Sequence, residues 1–361
     1  MPSELLNLFD YRARARELMP KTVWDMVHHG AFDEVTTRRT RPAFESILLR
    51  PRMLRNVANR DTTTTVLGHT IACPVMPAPP GQHQYAHPDG ELATARAAAA
   101  AGTLMVLSHF SNSSLEEVAA VTDGPRWFQL YVYPDREYTR DCIQRAEAAG
   151  YSALALTVSV PSGPGAVLAR ETETRNRFPY PDMPQGNLMK KGPDGVARLL
   201  PVLADFDPAL TWSSLDWIRS VTSLPIVVKG LMSPHDAGLA VDNGAAGVIV
   251  SNHAARLFDG PITTVEALPA VVDAVGGRCE VYLDGGIWRG IDVLKALALG
   301  ARACLIGKPL FYALAVAGEE GVRHIFEILR NELDFAMAMC GVRTIGDIDP
   351  SLVTRPQLQT V

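Results

Sequence analysis

The sequence lacks the features that mark membrane and secreted proteins. None of its 361 residues belongs to a run of about 18 uncharged apolar residues, which a membrane-spanning helix needs. The first four residues, Met-Pro-Ser-Glu, carry no positive charge and lead into no apolar stretch, so the pattern of a secretory signal is missing. We therefore expect a cytoplasmic protein that does not interact with a membrane.

Paired cysteines and blocks of like charge are also missing. The five cysteines are odd in number, widely spaced and without a Cys-x-x-Cys pair, which argues against a disulfide framework and against a structural zinc site. A formal net charge of -5 without a basic stretch argues against a nucleic-acid partner. The 47% of hydrophobic and 20% of charged residues are typical of a globular chain with a large core.

The chain does contain a regular alternation of short apolar runs and helical patterns. Such alternation predicts parallel strands joined by crossover helices, and eight units are the number that closes a (β/α)8 TIM barrel. Helical patterns are predicted at 91–101, 114–121 and 292–299. The eight predicted strands are 74–79, 103–108, 127–131, 153–158, 225–229, 247–251, 280–284 and 303–307.

We expect one domain over 1–361, made of three parts. Residues 1–73 are predicted as helices followed by a hairpin that turns at Leu67-Gly68 and closes one end of the barrel. The barrel is expected over 74–320, and C-terminal helices over 321–361. A stretch rich in turn formers at 160–215 is predicted as a lid over the C-terminal mouth of the barrel, although a disordered insertion over 179–203 is an equally good interpretation.

A histidine and an arginine directly follow the sixth predicted strand. His253 and Arg256 stand in Ser-Asn-His-Ala-Ala-Arg at 251–256, at the end of a strand where barrel enzymes carry their catalytic groups. A histidine accepts a proton near neutral pH, and an arginine binds a carboxylate through two hydrogen bonds. Proton removal from a bound acid is one interpretation, and a histidine that only caps the strand is the other.

Polar residues end most of the predicted strands and should meet at one mouth. Hydroxyl, amide and lysine groups in such a ring are suited to the polar edge of a flat heteroaromatic cofactor, with the lysine stabilising its anionic reduced form. The residues at or just past the strand ends are Ser108, Gln129, Tyr131, Thr157, Lys229, Ser251, His253, Asp284 and Gly307.

Glycines mark the last two strand ends, in Asp-Gly-Gly-Ile-Trp-Arg-Gly at 284–290 and Ile-Gly-Lys-Pro at 306–309. Loops at these two positions of a barrel commonly bind phosphate, because glycine lets backbone N–H groups approach the oxygens. Arg289 and Lys308 would supply positive charge. A phosphate site beside a ring site predicts flavin mononucleotide (FMN), since no Gly-x-Gly-x-x-Gly motif of a dinucleotide site follows an early strand.

These motifs, in this order, resemble those of the FMN-dependent α-hydroxy acid oxidases and dehydrogenases, the group that contains glycolate oxidase, lactate oxidase and mandelate dehydrogenase. The similarity extends over nearly the whole chain. It is carried by LMPK at 18–21, FESILLRP at 44–51, AHPDGE at 86–91, FQLY at 128–131, KG at 229–230, SNH at 251–253, DGG at 284–286 and IGKP at 306–309.

The resemblance implies a role for each matching residue. His253 would be the base, Arg256 and Arg170 would bind the substrate carboxylate, and Tyr131 would contact the substrate hydroxyl and carboxylate region. Lys229 would face the N1 and O2 edge of the flavin. The other residues expected at the cofactor are Pro79, Gly81, Ser108, Gln129, Thr157 and Ser251 at the ring, and Asp284, Gly286, Arg289, Gly307 and Lys308 at the phosphate end.

The chain departs from the family pattern at several of these positions. Ser159 stands where the family has an aspartate that bonds to the catalytic histidine, and Met26 stands in place of a tyrosine of the first helices. Phe110 replaces a tryptophan, and Ala254-Ala255 replaces a glycine pair. Trp288 and Lys308 replace two arginines. The resulting mouth is less polar, so we expect a larger or more apolar 2-hydroxy acid than glycolate.

Three functions remain open at this point. The first is oxidation of a 2-hydroxy acid to a 2-oxo acid, with oxygen or another electron acceptor reoxidising the FMN. The second keeps the FMN but oxidises an alcohol or amine in a biosynthetic pathway, as Ser159 and Met26 suggest. The third is a flavin-binding protein of low or no activity. The resemblance also implies a homo-oligomer, a tetramer being usual in the family.

Overall fold

The computed structural model of the protein describes residues 4–160, 169, 185–191, 197–199 and 206–354. The chain starts with three helices, α1 (Leu8–Leu18), α2 (Lys21–His28) and α3 (Val35–Glu45). Helix α1 begins at Asn7, whose side chain accepts from the N–H groups of Phe9 and Asp10. After strand β1 (Leu48–Leu49), the expected hairpin forms from β2 (Thr64–Val66) and β3 (His69–Ile71). Its turn residues Leu67 and Gly68 have φ of 43° and 83°, the left-handed conformation that a two-residue hairpin turn requires.

Eight parallel strands form the barrel, as the sequence predicts. They are β4 (Val75–Pro77), β5 (Met105–Leu107), β6 (Arg126–Leu130), β7 (Leu154–Thr157), β10 (Ile226–Leu231), β11 (Gly247–Val250), β12 (Glu280–Asp284) and β13 (Ala303–Ile306). Their order around the sheet is β4-β13-β12-β11-β10-β7-β6-β5. The two strands at the ends of this order are β4 and β5. Their starts are joined where the Thr103 hydroxyl, just before β5, donates to the carbonyl of Val75 in β4 at 2.6 Å. All eight carboxyl ends therefore lie at one rim.

Side chains alternate between the two faces of the barrel sheet. The inward set includes Met76, Trp127, Ile249 and Tyr282, and the hairpin residue Ile71 packs against it, with Val66 beside it. Both hairpin residues are fully buried. Because apolar side chains fill the interior and the hairpin closes its amino end, polar chemistry is confined to the opposite rim.

The outward faces of the strands pack against the surrounding helices. These are α4 (Gly90–Ala100), α5 (Leu115–Ala120), α6 (Arg136–Ala148), α7 (Ser214–Val221), α8 (Pro234–Asp242), α9 (Thr264–Val275), α10 (Gly290–Ala298) and α11 (Lys308–Met339). The helix predicted at 114–121 starts with a complete capping box formed by Ser114 and Glu117. Helix α11 is interrupted at Ala317 and Gly318, where the backbone leaves the helical conformation.

The C-terminal part differs from the helices expected over 321–361. Helix α11 runs on to Met339, and Gly341 then takes a φ of 65°, a conformation that commonly terminates helices. Two single turns follow, and strand β14 (Val353–Thr354) pairs antiparallel with β1. The end of the described chain is thereby joined to its N-terminal part.

Most of the predicted lid lies outside the described residues. Within the described part of 160–215, β8 (Met189–Lys191) pairs antiparallel with β9 (Ala197–Leu199).

None of the described helices is long and apolar enough to span a membrane, and the described residues contain no cluster of side chains suited to a metal ion. All five cysteines are unpaired thiols, and four of them are buried.

Candidate active site

A cavity of about 210 Å³, open to solvent, lies at the carboxyl ends of the barrel strands. It brings together residues that are far apart in the sequence. The lining includes twelve of the predicted site residues, namely Pro79, Gly81, Ser108, Gln129, Tyr131, Thr157, Lys229, His253, Arg256, Asp284, Gly307 and Lys308. The prediction that the strand ends form one mouth therefore agrees with the geometry.

A buried lysine on β10 is held by a carboxylate from β12. Lys229 Nζ lies 2.8 Å from Asp284 Oδ2 and donates to Ser251 Oγ at 3.0 Å, and the same hydroxyl donates to Asp284 at 2.7 Å. Lys229 and Ser251 are almost fully buried. The ion pair compensates the cost of burying the ammonium group, so a positive charge is kept at the wall of the cavity.

An amide and two hydroxyls occupy the neighbouring strand ends. Gln129 Nε2 donates to Thr157 Oγ1 at 3.0 Å, and Gln129 Oε1 accepts from the N–H of His109 at 3.1 Å. Because a backbone N–H can only donate, this bond fixes which end of the amide is oxygen. Ser108 lies on the other side of the oxygen, 3.4 Å away. The three side chains form a fixed polar row along the cavity.

The catalytic candidate His253 sits in an unusual turn after β11. His253, Ala254 and Ala255 have φ of 54°, 56° and 55°, the left-handed region, which costs an L-residue about 1–2 kcal/mol. The turn is held by Ser251 Oγ, which accepts from the N–H of His253 at 3.2 Å, and by the N–H of Ala31, which donates to the carbonyl of Ala255 at 2.7 Å. Strain of this kind is maintained by the surrounding structure and is typical of functional sites.

Tyr131 presents its phenol in an apolar part of the cavity. Its ring centroid lies 4.3 Å from that of Phe206 and 5.2 Å from that of Phe110. Burial raises the pKa of Tyr131 far above its usual value, although the positive charge of Arg256 opposes this shift. The phenol is therefore un-ionised at neutral pH and is able to donate a hydrogen bond.

The other end of the cavity carries Lys308. Its Nζ donates to the carbonyl of His28 at 2.6 Å. Burial, together with the nearby charge of Arg256, lowers the pKa of Lys308 to about 7. Gly307 also lines the cavity, and within the described part of the chain its N–H group donates to no other backbone group. A cation beside a backbone N–H group is suited to binding a phosphate.

Some predicted residues are not brought to the cavity. The Arg289 side chain pairs with Glu332 at 2.6 Å because it leaves the start of α10 toward α11. The side chain does not line the cavity, and its predicted contact with the phosphate stays a prediction. A side chain at Gly286 would clash with the ring of Phe44, so only the backbone of this glycine is available for a contact with the cofactor. Ser251 does not line the cavity but supports Lys229, as described above. Arg170 lies outside the described residues.

Several lining residues were missed by sequence reasoning. Leu257 follows Arg256 directly, and Phe311 lies one helical turn after Lys308, so both could have been found from spacing on the motifs. No sequence signal marks Phe206, which reaches the cavity from the far end of the long β7–α7 connection. The missed lining residues are Val27, Ala78, Gln82, Phe206, Leu257 and Phe311.

The chain matches the model of the FMN-dependent dehydrogenase family over residues 15–355. It belongs to this family. Glycolate oxidase 1 of Oryza sativa subsp. indica is 46% identical over 354 residues, covering 96% of this chain and 94% of the relative. Glycolate oxidase of Spinacia oleracea is 45% identical over 357 residues, covering 96% and 95%.

Solved structures agree with this assignment. Mandelate oxidase with benzoyl-formic acid superposes with a TM-score of 0.87 at 39% identity, covering 97% of this chain and 98% of that one. The predicted TIM barrel, the flavoprotein class and the FMN cofactor are thus confirmed. The site fits the cofactor: Lys229, Gln129 and Thr157 would hold the ring edge, and Gly307 and Lys308 the phosphate.

Proposed function

We propose that this FMN enzyme oxidises the CH–OH group of a 2-hydroxy acid to a 2-oxo acid. The observation that carries the proposal is that His253, Arg256 and Tyr131 line the same cavity as the polar row of Gln129 and Thr157. A base, a carboxylate-binding cation and a phenol are the three groups that such a substrate needs.

Each of the three groups has a separate task. The imidazole of His253 takes the proton that leaves the substrate, and Arg256 binds the carboxylate and thereby orients the carbon that is oxidised. Tyr131 stays protonated because its pKa is raised, so it donates a hydrogen bond to a substrate oxygen. Bound FMN supplies an isoalloxazine ring that accepts a hydride equivalent. Oxygen or another oxidant is the second substrate.

We further propose that the substrate is larger or more apolar than glycolate. The cavity is lined on the substrate side by Met26, Phe110, Val160, Phe206 and Leu257, none of which offers a charged or hydroxyl group. Such a surface gains free energy from a buried apolar substituent, at about 25 cal/mol for each Å² removed from water. A two-carbon acid would leave much of it in contact with water.

The test is anaerobic reduction of the FMN-loaded protein by a panel of acids: glycolate, lactate, 2-hydroxyoctanoate and mandelate. Bleaching of the flavin absorbance is expected, faster with the two larger acids. His253→Gln is expected to keep the flavin spectrum and slow the bleaching by a factor of about 100 or more, because it removes the base.

Other outcomes identify the alternative functions. Bleaching by simple alcohols or amines but by no acid would favour the altered chemistry that Ser159 and Met26 suggest. Tight FMN binding without bleaching by any donor would indicate a binding protein. Faster reduction by glycolate than by the larger acids would contradict the proposed substrate class alone.

A further inference from the structure

A buried chain of hydrogen bonds lies directly behind the substrate side of the cavity. His109 follows Ser108 at the end of β5 and is fully buried. Its Nδ1 lies 3.2 Å from the backbone nitrogen of Tyr131, and its Nε2 lies 2.8 Å from the hydroxyl of Tyr138. That hydroxyl is 2.6 Å from the carbonyl oxygen of Asn187. The proposed roles of the cavity residues do not use this chain.

The groups at the two ends of this hydrogen-bond chain determine the position of every proton in it. The N–H of Tyr131 can only donate, so His109 Nδ1 carries no proton and accepts. The carbonyl of Asn187 can only accept, so the Tyr138 hydroxyl donates its single proton to that carbonyl. The hydroxyl must therefore accept from His109 Nε2. His109 is therefore the neutral tautomer with the proton on Nε2.

The surroundings of His109 support the neutral form. Burial, together with the nearby charge of Arg145, lowers the pKa of His109 to about 3. Aromatic rings enclose the imidazole, with the centroids of Phe128 and Tyr133 both 5.4 Å away. The Cys142 thiol is the other polar group at Nε2, at 3.8 Å. The hydrogen-bond chain is thus a fixed, buried arrangement at neutral pH.

Asn187, at the far end of the hydrogen-bond chain, anchors a short segment, Gln185 to Leu188, to the loop after β5. Asn187 Oδ1 accepts from the N–H of Leu115 at 2.9 Å, and Asn187 Nδ2 donates to Ser111 Oγ at 2.8 Å. The N–H of Gly186 donates to the carbonyl of Ser111 at 3.0 Å. A side chain at Gly186 would come within 2.2 Å of the backbone at Ser113, so the segment fits this loop closely.

His109, at the near end of the hydrogen-bond chain, is linked to two groups of the cavity. The backbone of His109 fixes the amide of Gln129, and its ring fixes the backbone of Tyr131. Phe110, the next residue in the loop after β5, lines the cavity, and its ring centroid lies 5.2 Å from that of Tyr131. A shift of His109 would therefore move Tyr131 and Phe110 on the substrate side of the cavity, whereas His253 and Lys229 are positioned by β11 and β10.

We infer that His109 is a positioning residue, which as its neutral Nε2-protonated tautomer joins Tyr131 to the segment 185–188 through Tyr138 and so sets the substrate side of the cavity. The effect expected on substrate affinity rests on the proposed 2-hydroxy acid oxidation. The structural link itself does not.

Three variants separate the two halves of the hydrogen-bond chain, which are the bond from His109 to Tyr131 and the bond from His109 to Tyr138. Tyr138→Phe removes only the hydroxyl. His109→Asn keeps an acceptor near the position of Nδ1 but cannot reach Tyr138, and His109→Gln places an amide donor near the position of Nε2 but gives up the acceptor for Tyr131. Tyr282→Phe is the matched control, because it removes another buried tyrosine hydroxyl, bonded to Glu280 at the opposite end of the barrel.

Hydrogen exchange of the FMN-loaded full chain is the first measurement. We expect exchange of a peptide containing Gly186 and Leu188 to become about tenfold faster in Tyr138→Phe and His109→Asn, and to change little in His109→Gln and Tyr282→Phe. With a 2-hydroxy acid that reduces the enzyme, KM should rise by about fivefold in the first two variants while kcat changes by less than about twofold. FMN content should be equal in all of them.

The inference is overturned if Tyr138→Phe leaves exchange at 185–188 unchanged, or if Tyr282→Phe accelerates it equally. Exchange is read without any substrate, so a protein that oxidises no hydroxy acid would refute the proposed function and still decide this question. Should the variants fail to fold, ¹⁵N spectra of the imidazole-labelled native protein provide a separate test. They should show one histidine protonated at Nε2 alone at both pH 5 and pH 8, and a protonated Nδ1 at His109 would refute the tautomer.

Discussion

Two residues, Ser159 and Lys308, bear on the charge along the cavity. Ser159 stands two positions after Thr157, and its buried hydroxyl has no hydrogen-bond partner within the described part of the chain. Lys308 is a partly buried cation at the other end of the cavity, close to Arg256. The first is a site where a carboxylate is missing, and the second is a charge that pH can remove.

Replacing Ser159 by aspartate should speed the reductive step. A carboxylate there would stabilise the positive imidazole that forms when His253 takes a proton, and about 2 kcal/mol of such stabilisation corresponds to about 30-fold in rate. Stopped-flow reduction by a 2-hydroxy acid measures it. Ser159→Asn is the uncharged control of equal size, and an equal rate in both variants would contradict the prediction.

The affinity for FMN should fall as pH rises. Lys308 is protonated below its pKa of about 7 and loses its charge above it, whereas the cofactor phosphate keeps its negative charge. Each pH unit above that pKa leaves about tenfold less of the charged amine, so the dissociation constant should increase between about pH 7 and about pH 9. Fluorescence titration of the apoprotein measures this constant.

Two variants check the origin of this pH dependence. Lys308→Arg keeps its charge throughout the range and should bind FMN with a nearly constant affinity. Lys308→Met carries no charge and should bind weakly at every pH. A wild-type slope that persists in Lys308→Arg would assign the effect to another group.

At the scale of elements, the turn after β11 combines function with strain. Its three left-handed residues include two alanines where related sequences of the family, by resemblance, carry glycines. The strain is supported by fixed hydrogen bonds from Ser251 and Ala31, so the turn holds the imidazole over the cavity at a cost in stability.

Ala254→Gly should therefore stabilise the protein slightly. Glycine removes about 1 kcal/mol of left-handed strain, against about 0.5 kcal/mol for its greater freedom in the unfolded chain. Thermal unfolding should shift upward by about 1–2 °C. The same substitution at Ala99, near the end of helix α4, should instead destabilise, and a loss of stability at both positions would contradict the strain argument.

For the whole molecule, stability and chemistry are placed at opposite ends of the barrel. The hairpin residues Val66 and Ile71 close the amino end and pack against Met76 and Tyr282, while the polar groups gather at the carboxyl rim. Changes in the core near the hairpin should therefore alter the free energy of unfolding and leave cofactor binding intact.

Ile71→Ala tests this separation. Deleting a fully buried side chain should cost about 2–5 kcal/mol, and Ile71→Val, the conservative control, about 1 kcal/mol. The melting temperature should follow this order, while the FMN content and the flavin spectrum at room temperature stay unchanged. Loss of FMN without a matching loss of stability would show that the two ends are coupled.

The sequence by itself determined the eight strands, the hairpin and the membership of most cavity residues. These follow from local patterns: apolar runs bounded by turn residues, and polar residues at strand ends that a parallel barrel must collect at one rim. Twelve of the predicted site residues, from Pro79 to Lys308, line one cavity for this reason. The end of the last helix was less well predicted, because a glycine and strand pairing with β1 decide it.

Only the tertiary structure decided where long side chains point and what they meet. Arg289 has the right position in its motif, yet Glu332, 43 residues later on the neighbouring helix α11, binds it. The hydrogen-bond partners linked through His109 come from three separate parts of the chain: the end of β6, helix α6 and the segment 185–188. Phe206 reaches the cavity without any motif. Sequence patterns record the local backbone, whereas the direction of a long side chain is set by whichever charge, ring or carbonyl the fold places beside it.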